Sequence, residues 1–324
     1  VGAGAGDPGR CGVLHGGPAQ PPVTAADGAH EPALSLVVST VGRAGTFTRL
    51  LNSLETVPTA GRLEVVVVDQ SPDQSCAAVA RSRPWAVPII TTTSPRGASI
   101  GRNAGLALAS APVVAFPDDD AYFPARTLAA VLARFAAEPE LAGLCGQQQT
   151  ADGRPSMLRW QAQAGPVTAR NFLHTSIMST MFFRRRWLDQ IGGFDDAMGV
   201  GAPGWYHAGE ESDLVLRVVE AGGRVLYDPS LIVWQDEPRD VPDEAFVRKM
   251  LEYGCGQGHL WRKRSLSRSL LAWYLGRKVV AAAVRTARGQ RTLARADIAW
   301  ARGNVAGFLD RCPAELAPAA GVGA

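Results

Sequence analysis

The 324-residue sequence predicts an α/β fold, a mostly parallel sheet flanked by helices, followed by a helical C-terminal region. Two patterns carry that prediction. Short runs such as LEVVVVD (63–69) are apolar on both faces, which suits strands covered by helices on both sides. These runs alternate with segments whose apolar residues recur at helical spacing, as in βαβ units with right-handed crossovers. A composition of 46% hydrophobic and 19% charged residues agrees with a globular chain. It excludes a disulfide-stapled mini-domain, a collagen-like chain and charge-dominated disorder.

In order, LSLVVST (34–40) reads as the first strand and TFTRLLNSLETV (46–57) as a helix. LEVVVVDQS (63–71), VPIITTT (87–93) and PVVAF (112–116) are further strands, with helix-like segments at 75–82 and 98–110 between them. A helix at 125–137, a strand at 141–148 and MFFRRRWLDQIGG (181–193) extend the layer. GEESDLVLRVVEAGG (209–223) reads as a helix with acids in its first turn and glycine past its end. RVLYDPSLIVWQ (224–235) reads as a strand broken by Asp-Pro, and Pro238 and Pro242 lead into a basic region read as helical. The expected organisation is a flexible Gly/Ala/Pro-rich leader (1–32), an α/β domain (33–244) and a basic helical region (245–324).

The net charge of +3 conceals a division. Residues 1–244 hold 19 basic and 26 acidic residues, a balance of −7, whereas residues 245–324 hold 14 and 4, a balance of +10. Such asymmetry points to an anionic ligand or surface. The five cysteines are scattered without a C-x-x-C pair, which argues against a zinc site or disulfide framework and suits a reducing compartment. The leader lacks the basic and apolar parts of a secretory signal, and no run reaches the roughly 18 apolar residues of a spanning helix. The expected location is cytoplasmic, with the basic region a candidate for peripheral attachment to the inner face of the membrane.

Ligands of open parallel sheets bind beyond the carboxyl ends of the strands. Three such ends carry polar residues: Thr40 with Arg43, Asp69 with Ser71, and Asp118-Asp119-Asp120. Three adjacent carboxylates repel one another unless a cation is near, and Mg²⁺ or Mn²⁺ is the natural one. A solvated, acidic helix N-terminus is the competing reading. Arg102, beside the small residues Gly101 and Gly105, which allow a ligand close to the backbone, supplies a guanidinium for a carboxylate, base carbonyl or phosphate. A second cluster, Glu210, Glu211 and Asp213, opens a helix and offers a general base for an alcohol. Gly199, Gly201 and Gly204 form no dinucleotide-binding unit; a loop closing over substrate with Trp205 and His207 fits better.

Six segments in order resemble the family 2 inverting glycosyltransferases, which have a GT-A fold. They are VVSTVGR (37–43), VVVVDQS (65–71), GRNAGLALA (101–109), FPDDDAYFP (116–124), IGGFDDAMGVGAP (191–203) and GEESDLVLRVVEAG (209–222). The resemblance implies a sugar moved from a nucleotide-diphosphate sugar to an acceptor hydroxyl, carbohydrate or lipid-linked, in polysaccharide or glycolipid synthesis. It implies that Thr40, Arg43, Asp69 and Arg102 line the nucleotide pocket. Asp120 is then the favoured ligand of Mg²⁺ or Mn²⁺, with Asp118 a second one, and Asp118 or Asp119 lies nearer the ribose. Glu211 takes the place of the general base, with Asp213 a rival, and Trp205, His207 and Glu210 face the acceptor or lid. Glu211 stands where Asp is more usual, a shift of about 1 Å, and Gln235 where many relatives carry His. A non-catalytic nucleotide-sugar-binding scaffold and a sugar-1-phosphate nucleotidyltransferase are the alternatives. The tail (269–309) mixes apolar stretches with Arg and could lie on an anionic membrane, with Trp273, Tyr274 and Trp300 at headgroup depth, or pack on the domain. No nucleic-acid module accompanies its charge.

Overall fold

A computed structural model describes residues 31–156, 158–236 and 242–316. The proposed leader, apart from Glu31 and Pro32, lies outside the described residues, as do Cys11 and Pro238. Strands β1 (Leu34–Thr40), β2 (Leu63–Asp69), β3 (Ile89–Thr92) and β4 (Val113–Ala115) form a parallel sheet in the order β3-β2-β1-β4. Helices α1 (Ala44–Glu55), α2 (Ser75–Arg81) and α3 (Ala98–Leu108) connect them. Every residue of β2 is buried, as a strand covered on both faces must be. Phe47, Leu50, Leu51 and Leu54, three or four residues apart, form the buried stripe of α1. On α3, a Cβ at Gly101 would collide with Ser39 Oγ, and one at Gly105 with Val37. These glycines seat the helix on β1; they do not open the backbone to a ligand.

The second half departs from a parallel sheet. It contains β5 (Ala121–Tyr122), α4 (Thr127–Ala137), β6 (Leu141–Gln149), β7 (Gly165–Pro166), β8 (Met181–Arg184), α5 (Arg185–Ile191), α6 (Glu210–Glu220) and β9 (Arg224–Gln235). Strand β8 lies antiparallel to both β4 and β6, while β6 and β9 are parallel and β5 and β7 run antiparallel to β9. The sheet is therefore mixed, and the parallel expectation holds for β1–β4 and the β6–β9 pair. The reason is the connection: no α-helix lies between β6 and β8, so the chain does not make the crossover that parallel pairing needs. Asp228-Pro229 does not end β9. The pairing with β6 shifts register there, and Ser230 N–H closes the bulge on Asp228 Oδ1 at 2.9 Å. The strand then continues, which delivers Gln235 to β5.

The C-terminal region is helical: α7 (Glu244–Lys263), α8 (Arg268–Ala287) and α9 (Arg291–Leu309). Helices α7 and α9 meet through glycines, for a Cβ on Gly258 would collide with the Asn304 carbonyl and one on Gly307 with that of Cys255. The glycine run 254–258 is thus a helix-packing surface, and Gly256 lies against Ala208 just before α6. Gly258→Ala should destabilise the fold by about 3 kcal/mol or more, because backbone on the facing helix cannot move aside. A lowered midpoint in urea unfolding with unchanged slope checks this. Among the described residues no helix is long and apolar enough to cross a membrane, and Cys76, Cys145, Cys255 and Cys312 are free thiols.

Candidate active site

The carboxyl ends of β1, β2 and β4 bring the first cluster together. Thr40 and Asp69 are register partners at the ends of β1 and β2. Asp118–Asp120 form the turn from β4 into β5, closed by Ala121 N–H on the Asp118 carbonyl at 3.0 Å. The triplet thus lies in a turn and does not cap α4, which begins only at Thr127. Thr40 Oγ1 donates to Asp119 Oδ2 at 2.5 Å. Arg43 bridges Asp119 and Asp120, reaching Asp120 Oδ2 at 2.7 Å. Because Ala121 pairs with Gln235 across β5 and β9, the Gln235 amide lies within reach of the triplet, and its Nε2 donates to Asp120 Oδ1 at 2.8 Å.

Arg102 joins the two carboxylate clusters. From α3 its Nη1 donates to Glu210 Oε1 at 2.8 Å and its Nη2 to Asp118 Oδ1 at 3.2 Å. Residues 92 positions apart thereby share one buried guanidinium. The positive charge that three adjacent aspartates require is supplied here by two arginines, Arg43 and Arg102. Burial raises the Asp118 carboxyl to about 6, with Asp120 and Asp119 adding to the shift and Arg102 opposing it. Burial also raises Asp119, against the hydrogen bond from Thr40 and the charge of Arg43.

Glu211 follows Glu210 at the start of α6. Burial first, and then the negative charge of Glu210, lift its carboxyl well above the ordinary glutamate value. Asp213 has a different setting. It is fully buried, paired with Arg217 one turn on (2.8 Å) and with Lys263 (3.0 Å) and Arg264 (3.3 Å) from the end of α7. Trp205 and His207 sit in the loop before α6. His207 Nε2 lies 2.9 Å from the Gly204 carbonyl and its Nδ1 3.7 Å from Glu252, while Trp205 packs on Tyr206. The loop is fastened on both sides. Ala98 N–H bonds the Val200 carbonyl (2.8 Å), Ser99 Oγ the Met198 carbonyl (2.6 Å), and Tyr206 stacks on His259 and bonds Asp310.

Beside the first cluster, a cleft of about 450 Å³ opens at the ends of β1–β3, lined by Val41, Asp69, Gln70, Ser71, Thr93 and Arg96. The Asp69 carboxylate is buried and accepts hydrogen bonds from Ser71 N–H (3.0 Å), Ser71 Oγ (2.6 Å) and Ala77 N–H (2.9 Å). It shapes the β2–α2 turn that forms one wall. A larger cleft of about 880 Å³ lies between α7, α8 and α9, away from both clusters.

Among the described residues no three His, Cys, Asp or Glu side chains converge as a ready-made metal cage. The fit to a divalent ion rests on a smaller set. Asp120 is one carboxylate, and Gln235 Oε1 beside it is buried without a hydrogen-bond partner. Hard oxygen donors of this kind suit Mg²⁺ or Mn²⁺, which usually keep one or two carboxylates and complete their shell with water and phosphate.

Residues 35–195, which carry Thr40, Asp69, Arg102 and the aspartate triplet, match the family described as Glycosyl transferase family 2. The chain carries a family 2-type glycosyltransferase domain with a GT-A fold. The pre-mycofactocin glycosyltransferase of Mycobacterium tuberculosis H37Rv is 26% identical over 169 residues, 49% of this chain and 34% of that protein. The match therefore spans about a third of that relative's length. Among solved structures, a mannosyltransferase of Pyrobaculum calidifontis, in complex with GDP-Man and Mn²⁺, gives a TM-score of 0.57 at 19% identity, covering 88% of this chain and 90% of that one. S. aureus TarS 1–349 in complex with UDP-GlcNAc gives 0.53 at 18%, covering 86% and 92%.

The family match ends before α6, so the second cluster of this glycosyltransferase domain is placed by geometry alone. Several supporting residues escape sequence reading. Lys263 and Arg264 reach Asp213 from 50 and 51 residues downstream. Gln70 Nε2 pins the β3–α3 loop through the carbonyls of Pro95 (2.6 Å) and Gly97 (3.0 Å). Asn103 ties α3 to the segment after α5 through Phe194, accepting from its N–H at 2.8 Å and donating to its carbonyl at 3.0 Å. Gln70 and Asn103, inside the quoted VVVVDQS and GRNAGLALA segments, carry a local signal; Lys263 and Arg264 do not.

Proposed function

We propose that residues 33–244 transfer a sugar from a nucleotide-diphosphate sugar to an acceptor hydroxyl with inversion, with the helical region 245–324 bracing α6. The observation that carries the reading is the Asp118–Arg102–Glu210 bridge, which ties the aspartate turn to the start of α6, where Glu211 follows Glu210. Glu211 takes the acceptor's hydroxyl proton as that oxygen bonds to the anomeric carbon, while the bond from that carbon to the diphosphate breaks on the opposite face. Its raised proton affinity makes it a stronger base than a solvated carboxylate. The nucleoside moiety occupies the cleft beside Asp69 and Arg96, where Asp69 holds the wall. Thr40 and Arg43 keep Asp119 and Asp120 facing the diphosphate. Asp120, with Asp118 at its side, would hold Mg²⁺ or Mn²⁺, whose chemistry there is to neutralise the departing diphosphate. Trp205 and His207, in the fastened loop, border the acceptor side. Asp213 anchors α6 to α7 instead of taking a proton.

The relatives' donors differ in base and sugar, GDP-Man and UDP-GlcNAc, so the donor is proposed only as a nucleotide-diphosphate sugar. The acceptor is proposed as a carbohydrate or lipid-linked glycan of the cell envelope. A panel of such donors with Mn²⁺ or Mg²⁺ should include one that raises the melting temperature, since a ligand at 100 times its Kd stabilises by about 2.7 kcal/mol. That donor should be consumed in the presence of acceptor, giving the inverted anomer. Failure of every donor to stabilise the protein with either ion would overturn the reading.

A further inference from the structure

Helix α8 is apolar on two sides: Leu270, Leu271 and Leu275 pack on the core, and a second apolar stripe faces outward. A helix on the surface of a soluble domain normally turns charge to water and apolar residues to the core. Here Lys278 and Arg285, half-buried, both lean onto the buried Asp297, at 2.8 Å and 2.5 Å. The outward stripe, at spacings of three and four, is Ala272, Trp273, Gly276, Val280, Val284 and Ala287, all exposed. Trp273 is 51% and Val280 64% exposed. Tyr274 is not in the stripe: its hydroxyl lies 3.1 Å from His174 Nε2, and its ring packs edge-on against Trp261. Trp300 lies under Lys278.

The charge that the helix itself carries is of one sign. Residues 268–287 contain no Asp or Glu. Arg268, Arg277 and Arg288 border the face and are exposed, and the Arg277 guanidinium lies over the Trp273 ring at 4.5 Å, which puts a positive charge against the most exposed aromatic of the stripe. We propose that this face of α8 docks the protein on a bilayer surface of anionic phospholipid, the helix lying in the interface. A 20-residue helix presents about 30 Å of contact. It lacks the hydropathy needed to span. A second copy is disfavoured by charge, because it would set one acid-free cationic face against another. Apolar contact within a cationic rim is instead the combination that anionic interfaces select. The proposal does not depend on the sugar-transfer reading, and its test requires no turnover.

The full chain is sedimented with vesicles of phosphatidylcholine alone or of phosphatidylcholine mixed with phosphatidylglycerol. Binding is expected only to the mixed vesicles and should weaken at high salt. Val280→Glu, at an exposed position, should leave the melting temperature unchanged and reduce partitioning about tenfold or more. Independently of that variant, brominated acyl chains should quench fluorescence of the bound protein, and Trp273→Phe should remove most of the quenching. Three outcomes overturn the proposal: absence of binding to the mixed vesicles, undiminished binding of Val280→Glu, and a protein dimer in solution that Val280→Glu disperses.

Discussion

Glu211→Gln is expected to lower sugar transfer by about 10²- to 10⁴-fold, the range for losing a positioned general base, while donor binding persists. The same change should make the protein more stable at neutral pH. Glu211 has a folded-state pKa above its ordinary value of 4.5, through burial and then the charge of Glu210. The folded state therefore binds this proton more tightly than the unfolded chain. Stability falls as pH rises from 4.5 towards the folded value and is level above it. Glutamine removes that slope, so the variant should melt higher than the parent at pH 7 and show no such advantage below pH 4.5. The parent's rate should rise with pH across the same raised titration, because only the ionised carboxylate accepts the proton. Glu211→Asp pulls the carboxylate back by about 1 Å and should lower the rate by up to about 10²-fold. Asp213→Asn is the control. With three cations around a buried carboxylate, it should act through stability, at about 3–5 kcal/mol. Should Glu211→Gln retain full activity while a folded Asp213→Asn loses it, the base is Asp213.

The same contrast shows where sequence reading succeeds. Local patterns locate nearly every element of the first half, because β1 and β2 are apolar on both faces and α1 repeats its buried residues at helical spacing. The aspartate turn, Arg102 and Glu210 are also legible, each at a strand end or helix start. What connects them is not. That Arg102 reaches both Asp118 and Glu210 depends on the packing of α3 against two other segments, and nothing near Arg102 in the chain encodes it. The reversal of β8 is hidden for a similar reason: MFFR has the same apolar content in either direction, and only the connection from β6 decides. Gly101 shows the converse error. A small residue beside an arginine suggests room for a ligand, yet the space is filled by Ser39. The apolar tail residues were readable as amphipathic, but which of them face outward follows from Asp297 drawing Lys278 and Arg285 onto α9.

Asp120→Ala is expected to reduce transfer on the order of 10³-fold, the scale for removing a principal element of charge stabilisation at a leaving group. Both Asp120 oxygens are engaged, Oδ1 by Gln235 at 2.8 Å and Oδ2 by Arg43 at 2.7 Å. The substitution leaves Arg43 with Asp119 alone and strands the Gln235 amide. It should change stability little, because Arg43 is half-exposed and exposed ion pairs contribute about 0–1 kcal/mol. The decisive readout is therefore thermal shift: the increment that Mn²⁺ adds to stabilisation by a nucleoside diphosphate should vanish in Asp120→Ala. Gln235→Ala separates orientation from ion binding. If the amide only orients Asp120, transfer falls about tenfold and the Mn²⁺ increment survives; if Oε1 is itself a donor, the increment shrinks as well. Arg43→Ala tests the opposite side of the carboxylate. A guanidinium that competes with the ion for Asp120 Oδ2 predicts a larger Mn²⁺ increment once it is removed, since the carboxylate then has a free oxygen and no resident cation. Full activity of Asp120→Ala in the presence of a chelator would remove Asp120 from the reaction and leave Arg43 and Arg102 as the groups that meet the diphosphate.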